Sequence, residues 1–463
     1  MLKLFLAMII FFVLATWISR FLPIKSRPKW FGFLPVFLVL LIIADIAIEG
    51  LRWPMTGIYI VAAIMLIAAI FSKYHSKPDS IPKRSLPRRI LKIAGITLLS
   101  LFIFIAVALP VLFPALPQPT GQYDVSTTRF EWVDTSRPEI YSEDPDDFRD
   151  IMVTVWYPTD IATDKADQNM GTCPVLIFSH GFGMRVKDYA SQLKDIASHG
   201  YIIFAIDHPY EASVVEYPDG RIVSLSPDII ETLKSNQQKE SNLLLEKFEA
   251  ADTENARDEI FMQYDKMAFD MAKDGIKIWT EDTIFVLNKI DELNLDETSD
   301  IFFGNIDMSR VGVFGHSFGG AIAGMVCMQD NRFQAAINMD GILFGAYTNS
   351  DGIINQPFME MASKDMVVGV NDYIYSRNSD TVYRLQIVGA RHNNFTDLPL
   401  YFSFLRNSDL LVNGSIDPFK MHEIVGRYTI AFFDQYLKGI DSDMLSETYH
   451  KYPEVIFSMK NEI

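Results

Sequence analysis

Hydrophobic and polar residues are distributed in two different ways along the 463 residues of this chain. In the first quarter, apolar residues form long runs without the polar stripe that a surface helix carries. Each run is long enough, or nearly so, to cross the roughly 30 Å of bilayer hydrocarbon as a helix. The pattern predicts an all-α segment of four transmembrane helices in residues 1–114, with three spans as the alternative. The four runs are 4–18, 31–48, 55–71 and 90–113.

After a proline-rich linker at 115–122, the pattern changes to short apolar runs that alternate with amphipathic stretches. The short runs predict buried strands and the longer stretches predict helices. Alternation of this kind is typical of an α/β sheet, so residues 123–463 are expected to form one α/β domain. The predicted strands are 151–157, 174–179, 201–206, 311–314, 335–339, 357–362 and 383–388, and the predicted helices are 189–199, 276–293, 321–328 and 421–437.

A long insertion separates the strand at 201–206 from the strand at 311–314. Ser226 followed by Pro227 is a helix-start signal, and a charged, methionine-rich stretch continues to about residue 274. We therefore expect a helical insertion near 222–275 that caps the sheet, followed by a separate helix. The alternative is a solvated helical hairpin with no role in substrate access.

Charge is divided in the same way as hydrophobicity. Residues 1–119 hold 13 Lys and Arg against 3 Asp and Glu, whereas the remainder holds 28 against 55. The net charge of −17 hides this division. An acidic α/β domain argues against nucleic acid as a partner, because nothing there would neutralise phosphates.

The basic residues of the first segment also predict its orientation. They concentrate between the first and second runs and between the third and fourth. Since Lys and Arg mark the cytoplasmic side, both loops are predicted inside. The chain is then a multi-pass membrane protein with its α/β domain on the extracytoplasmic side. A cleaved signal peptide at the first run is the alternative, but no small-residue cleavage site ends that run.

Cysteine and histidine usage limits the chemistry. The two cysteines, Cys173 and Cys327, are too few for a disulfide framework. The eight histidines show no H-E-x-x-H or comparable spacing. We therefore expect neither a metal nor a cofactor, and oligomeric state is not predicted.

The segment V-G-V-F-G-H-S-F-G-G-A at 311–321 carries the strongest chemical signal. A G-x-S-x-G motif between a predicted strand and a predicted helix is the signature of a nucleophile elbow. The turn lifts Ser317 off the sheet, where its hydroxyl can attack a carbonyl. This context predicts an α/β-hydrolase fold with Ser317 as the nucleophile.

A serine nucleophile needs a base, and the base needs an orienting acid. In this fold the chain order is nucleophile, acid, histidine. His392 follows a predicted strand and is the favoured base. Asp340 and Asp365 each follow a strand between Ser317 and His392, and position alone leaves both open as the acid.

An oxyanion hole in this fold combines the N–H after the nucleophile with one from an earlier loop. Phe318 supplies the first donor. The H-G-F-G sequence at 180–183 follows the strand at 174–179, so Phe182 is the second candidate. His180 is expected to brace this loop and not to react.

Several motifs together resemble the plasma-type platelet-activating-factor acetylhydrolases, the serine-dependent group of phospholipase A2 enzymes. These are F-S-H-G-F-G at 178–183, G-H-S-F-G-G-A at 315–321, R-F-Q-A-A-I-N-M-D-G at 332–341, Q-P-F at 356–358 and R-H-N-N-F-T-D at 391–397, with W-Y-P at 156–158 and D-H-P at 207–209. The resemblance implies Ser317 as nucleophile, His392 as base and Asp340 as acid. It also implies Phe182 and Phe318 as oxyanion donors.

The resulting hypothesis is a membrane-anchored serine ester hydrolase that acts on short or oxidised acyl esters of phospholipids. The first alternative is a general carboxylesterase, or a polyester or dienelactone-hydrolase-like esterase, with Asp365 as the acid. The alternative from another class is a catalytically idle hydrolase fold that serves as a membrane receptor or scaffold.

Overall fold

The computed structural model describes residues 33–49, 56–74, 102, 105, 115–162, 171–227, 230–231, 236–299, 301–343, 354–363, 371, 381–402 and 413–461. The chain divides into two compact units. One comprises Met1–Leu116 with Leu400–Phe404, and the other comprises Pro117–Pro399 with Leu405–Ile463.

The described part of the first unit contains two helices, α1 (Leu34–Glu49) and α2 (Thr56–Tyr74). Within the described stretches, none of the helices combines the length and apolar character that crossing a bilayer demands. The described residues therefore do not support the four predicted spans. The runs at 4–18 and 90–113 lie outside the described residues, apart from two positions. Large apolar side chains are exposed on both helices, namely Val36, Leu40, Ile43, Ile60, Ile64 and Ile67.

The second unit is built on a nine-stranded sheet with the order β1-β2-β4-β3-β7-β8-β9-β10-β11, and a separate two-stranded ribbon pairs β5 with β6. The strands are β1 (Val125–Pro138), β2 (Phe148–Pro158), β3 (Cys173–Ser179), β4 (Ile202–Asp207), β5 (Val214–Glu216), β6 (Ile222–Ser224), β7 (Ile306–His316), β8 (Phe333–Met339), β9 (Phe358–Ala362), β10 (Thr381–Ile387) and β11 (Val455–Asn461).

The six central strands, β4 to β10 in sheet order, are parallel. β2 and β11 pair antiparallel with the two ends of this block, and β1 pairs antiparallel with β2. All seven predicted strands overlap strands of this sheet, so the α/β prediction is confirmed. The pattern missed β1, β5, β6 and β11. β1 is an edge strand whose side chains are mostly exposed or half-buried, so it lacks a clear apolar run.

Helices cover both faces of the sheet, as a parallel sheet requires. Helices α5 (Glu254–Leu295) and α6 (Phe318–Gln329) contribute to one apolar core. Helices α3 (Ala190–Ala197) and α8 (Pro418–Lys438) contribute to the core on the other face. The other helices described after residue 117 are α4 (Asn236–Ala250) and the short α7 (Leu398–Tyr401).

The insertion differs from the two separate elements that the pattern predicts. After α4, one helix of 42 residues, α5, runs from the insertion into the sheet-packing helix. The predicted separation between the insertion near 222–275 and the helix at 276–293 does not occur, because α5 continues through Gly275. A Cβ at this position would lie 3.0 Å from Glu211 Oε1 and 3.2 Å from the ring of Phe318. The glycine therefore serves a close approach between α5 and the elbow.

Candidate active site

Ser317 lies at the sharp turn between β7 and α6. Its backbone φ of 56° and ψ of −120° are rare for a residue with a side chain, and such strain concentrates at functional sites. The flanking glycines permit the turn. A Cβ on Gly315 would lie 2.4 Å from the backbone of Gly319, and one on Gly319 would lie 2.2 Å from the Ser179 carbonyl oxygen. This local geometry is that of a nucleophile elbow.

The structure brings Ser317, His392 and Asp340 into one hydrogen-bonded line. His392 Nε2 lies 2.9 Å from Ser317 Oγ, and His392 Nδ1 lies 2.7 Å from Asp340 Oδ2. The carboxylate accepts from Nδ1–H, which leaves Nε2 free of hydrogen and able to accept the serine proton. His392 follows β10 in a short 3₁₀ turn (His392–Phe395), in the loop that the sequence indicated.

Asp340 is held tightly behind the histidine. It follows β8 with a φ of 56°, and it is 1% exposed. The N–H of Ser363 donates to Asp340 Oδ1 at 2.5 Å, and the Ser363 hydroxyl donates to Oδ2 at 2.9 Å. The backbone N–H of Asp340 donates to the Met361 carbonyl at 2.7 Å. The end of β9 thus positions the carboxylate. The alternative acid, Asp365, lies outside the described residues.

The H-G-F-G loop lies directly against the elbow. A Cβ on Gly181 would lie 3.2 Å from Ser317 Cβ, so a side chain here would crowd the elbow. The rings of Phe182 and Phe318 meet edge to face with centroids 6.0 Å apart. The two predicted oxyanion residues are therefore neighbours beside Ser317. His180 is fully buried and braces the loop, because its Nδ1 donates to the Gly181 carbonyl and its Nε2 accepts from the His208 N–H.

A buried polar network supports this loop, and the sequence analysis did not find it. Arg149 contacts Asp282 through two hydrogen bonds of 3.1 and 2.8 Å. Asp282 Oδ2 also accepts from His208 Nδ1 at 2.8 Å, and the His208 ring stacks on Trp279 at 3.7 Å. Trp279 Nε1 donates to Glu211 Oε2 at 2.6 Å. The network thus joins α5 to the loops behind the oxyanion residues.

Burial dominates the protonation of this network. Burial raises the pKa of Glu211 to about 8, even though Arg149 is close. Burial lowers the pKa of His208 to about 4 and, with His208 nearby, that of His180 to about 3. Burial also opposes ionisation of Asp282, but Arg149 and His208 outweigh it and hold the pKa of this carboxyl below its usual range. Both histidines are therefore neutral near pH 7.

Only partial signals for the network exist in the sequence. The D-H-P motif at 207–209 marked His208 as part of the family pattern, and Arg149 stands at the start of an apolar strand. Their partners are 133 and 74 residues away on α5, so no local spacing reveals them. Among the described residues, no group of three His, Cys, Asp or Glu side chains could hold a metal ion.

Comparisons with known proteins identify the family that this chain resembles. Residues 151–456 match the family model of platelet-activating factor acetylhydrolase, isoform II. A probable 1-alkyl-2-acetylglycerophosphocholine esterase from Arthroderma benhamiae is 25% identical, over 64% of this chain and 68% of that protein. The platelet-activating factor acetylhydrolase of Cavia porcellus is 23% identical, over 58% of each chain. The chain thus spans less than two thirds of the animal protein.

A solved structure shares the fold. The ferulic acid esterase from Streptomyces cinnamoneus superimposes with a TM-score of 0.53 and 22% identity, covering 74% of this chain and 98% of that one. The family match covers about two thirds of the chain. It includes the elbow, the H-G-F-G loop at 180–183, which we call the oxyanion loop, and the loop after β10 that carries His392, which we call the His392 loop. The chain therefore belongs to the platelet-activating factor acetylhydrolase isoform II family of carboxylic ester hydrolases.

Proposed function

We propose that this chain hydrolyses carboxylic esters with Ser317 as nucleophile, His392 as general base and Asp340 as orienting acid. The observation that carries the proposal is the continuous line from Asp340 Oδ2 through His392 to Ser317 Oγ, with distances of 2.7 and 2.9 Å. A serine hydroxyl is a weak nucleophile at its own pKa and needs such a base. The buried carboxylate keeps the imidazole in the required tautomer and stabilises the imidazolium that forms.

The reaction then follows two half-reactions. His392 Nε2 takes the proton from Ser317 Oγ as the oxygen attacks the acyl carbonyl, and the backbone N–H groups of Phe182 and Phe318 hold the oxyanion. His392 returns the proton to the leaving alcohol, which departs and leaves an acyl-serine. Water, deprotonated by His392, attacks this ester, and the carboxylic acid leaves as Ser317 regains its proton.

The test is labelling of the full chain with a fluorophosphonate probe, alongside ester hydrolysis. Wild type is expected to label and to hydrolyse p-nitrophenyl acetate, and Ser317→Ala is expected to do neither. Ser126→Ala is a matched control because its hydroxyl bonds to the Thr159 hydroxyl at 2.9 Å and not to the triad. Labelling that survives Ser317→Ala contradicts the nucleophile assignment. A folded wild type that neither labels nor hydrolyses esters favours the idle receptor or scaffold.

For the substrate, we propose short or oxidised acyl esters of phospholipids. The support is the family match and the relatives' names, which specify a 2-acetyl glycerophosphocholine and platelet-activating factor. We expect kcat/KM for a 2-acetyl phospholipid to exceed that for a 2-palmitoyl phospholipid by about a hundredfold or more. Equal values for the 2-acetyl phospholipid and p-nitrophenyl acetate would favour a general carboxylesterase instead.

For location, we propose that the N-terminal segment holds the hydrolase at a membrane, with the active site on the extracytoplasmic side. The support is the apolar runs, the basic loops between them and the exposed apolar side chains of α1 and α2. The full chain is expected to stay in the membrane pellet after alkaline carbonate and to be cut by protease added outside right-side-out vesicles. Release by carbonate contradicts the anchoring, and protection from protease contradicts the orientation.

A further inference from the structure

A chain of hydrogen bonds connects the oxyanion loop to the His392 loop beneath the elbow. The N–H of Gly181 donates to Tyr189 Oη at 3.0 Å, and Tyr189 Oη lies 2.7 Å from His316 Nδ1. His316 Nε2 lies 3.1 Å from the backbone carbonyl oxygen of His392. Tyr189 and His316 are both fully buried, so water does not replace these bonds.

The direction of this chain is determined at both ends. The Gly181 N–H can only donate, and the His392 carbonyl can only accept. His316 Nε2 must therefore carry a hydrogen, and in a neutral imidazole Nδ1 is then the acceptor. The Tyr189 hydroxyl donates to it, because the Met184 thioether, 2.9 Å away, is a weak acceptor. Burial and the nearby His392 hold the pKa of His316 well below its ordinary value, which keeps the ring neutral.

Residues 188–191, which include Tyr189, also hold the far end of the loop that begins at His392. Asp397 Oδ2 accepts from the Ser191 N–H at 2.7 Å, and the Asp397 N–H donates to the Asp188 carbonyl at 2.7 Å. The His316 ring lies 4.6 Å from the His392 ring. Residues 188–191 thus contact both the loop that carries the base and the loop that carries Phe182.

We propose that Tyr189 and His316 are positioning residues that align the oxyanion loop with the catalytic histidine. The inference rests on the proposed function, because it concerns the same ester-hydrolysis site. The oxyanion N–H groups and the base must reach their positions together in the transition state. A shared buried chain through the elbow links the two loops to each other as well as to the sheet. Neither side chain touches the substrate in this scheme.

The first test is Tyr189→Phe, which removes the bonds of the hydroxyl to Gly181 and His316 and preserves the ring. Misplacement of a catalytic group by about 1 Å can cost a hundredfold in rate, so we expect kcat to fall by about 10- to 100-fold. We expect KM to stay within about twofold, since the lost alignment acts in the transition state. Tyr201→Phe is the matched control. Tyr201 is also buried, and its hydroxyl bonds to Asp434 at 2.7 Å instead of to the site.

The second test is His316→Asn. The asparagine oxygen can take the place of Nδ1 and accept from Tyr189, but the donor to the His392 carbonyl is lost. If Tyr189 and His316 form one hydrogen-bonded chain, the kcat of the double variant Tyr189→Phe/His316→Asn is expected to be no more than about threefold below that of the worse single variant. Losses that multiply show two independent effects and overturn the chain.

Wild type and Ser317→Ala are measured in parallel to separate this inference from the proposed function. Hydrolysis that persists in Ser317→Ala contradicts the proposed function. An inactive Ser317→Ala together with a wild-type kcat in Tyr189→Phe overturns only the positioning role. If Tyr189→Phe does not fold, as judged by its melting curve beside Tyr201→Phe, His316→Asn alone decides. A wild-type kcat in that variant overturns the inference.

Discussion

At the scale of single residues, there are two candidates for the acid that orients His392, Asp340 and Asp365. Asp340 reaches Nδ1 because a left-handed backbone turns it out of β8 and Ser363 holds both carboxylate oxygens. These two donors and the imidazole together fix the orientation of the carboxylate towards His392. Asp365 is two residues beyond Ser363 in the chain, so substitution can compare the two candidates directly.

We predict that Asp340→Asn lowers kcat by about 10⁴-fold, because an amide at this position favours the wrong histidine tautomer. The measurement is p-nitrophenyl acetate hydrolysis by the folded variant. Asp365→Asn is the control and is expected to change kcat by less than about threefold. The opposite ranking would transfer the acid to Asp365 and move the chain towards the dienelactone-hydrolase type.

Glu211 predicts a pH effect on stability. Burial raises its pKa to about 8 in the folded chain, from an ordinary value of 4.5. Between these values the unfolded chain has released the proton that the folded chain still holds. Because the folded state binds more protons there, its free energy of unfolding falls as the pH rises from about 4.5 to 8. Glu211→Gln removes this contribution.

Urea unfolding at pH 5 and pH 8 measures the effect. The free energy of unfolding of Glu211→Gln minus that of wild type is expected to be larger at pH 8 than at pH 5. The exposed Glu259→Gln is the control and is expected to show no such difference. Other buried carboxyls with raised pKa values remain in both chains, so the comparison isolates Glu211. An equal effect of Glu211→Gln at both pH values would contradict the assignment.

At the scale of elements, the strand–elbow–helix unit depends on glycines that allow backbone contact. We predict that Gly319→Ala lowers the free energy of unfolding by about 3 kcal/mol or more. The added Cβ would lie 2.2 Å from the Ser179 carbonyl oxygen, so the backbone of the sheet would have to shift. Gly304→Ala is the control. No atom lies within 4 Å of a Cβ there, so only the strain of an alanine at its φ of 67° lowers the free energy of unfolding, by about 1 to 2 kcal/mol. Chemical denaturation compares them, and equal losses would contradict the prediction.

At the scale of the whole molecule, the charge asymmetry affects how substrate is presented. Residues 120–463 carry 28 basic against 55 acidic residues, a balance of −27. We predict slower hydrolysis of a 2-acetyl phospholipid in anionic vesicles than in zwitterionic ones, because like charges repel. The difference is expected to shrink between about 10 and 150 mM salt, where the Debye length falls from about 30 to 8 Å. A preference for anionic vesicles at low salt would contradict this.

Much of the fold and site could be predicted locally. Seven parallel or neighbouring strands show as short apolar runs, and the elbow is a contiguous motif whose glycines and serine stand within seven residues. Edge strands such as β1 were missed because one face of β1 is exposed and the other is only half-buried, which leaves no continuous apolar run. The predicted separation between the insertion near 222–275 and the helix at 276–293 did not occur. α5 continues through Gly275, where the missing side chain leaves room for Glu211 and Phe318.

Local patterns in the sequence predicted the α/β fold, the family resemblance, and Ser317, His392 and the H-G-F-G loop as candidate parts of the site, because periodicity and contiguous motifs are local properties. Position along the sequence left the acid open between Asp340 and Asp365. Folding brings Asp340 into hydrogen-bonding distance of His392 and joins two loops through Tyr189 and His316. The contact between Asp340 and His392 spans 52 residues, and that between Tyr189 and His316 spans 127. Such pairings depend on strand order and loop docking, which no local pattern encodes.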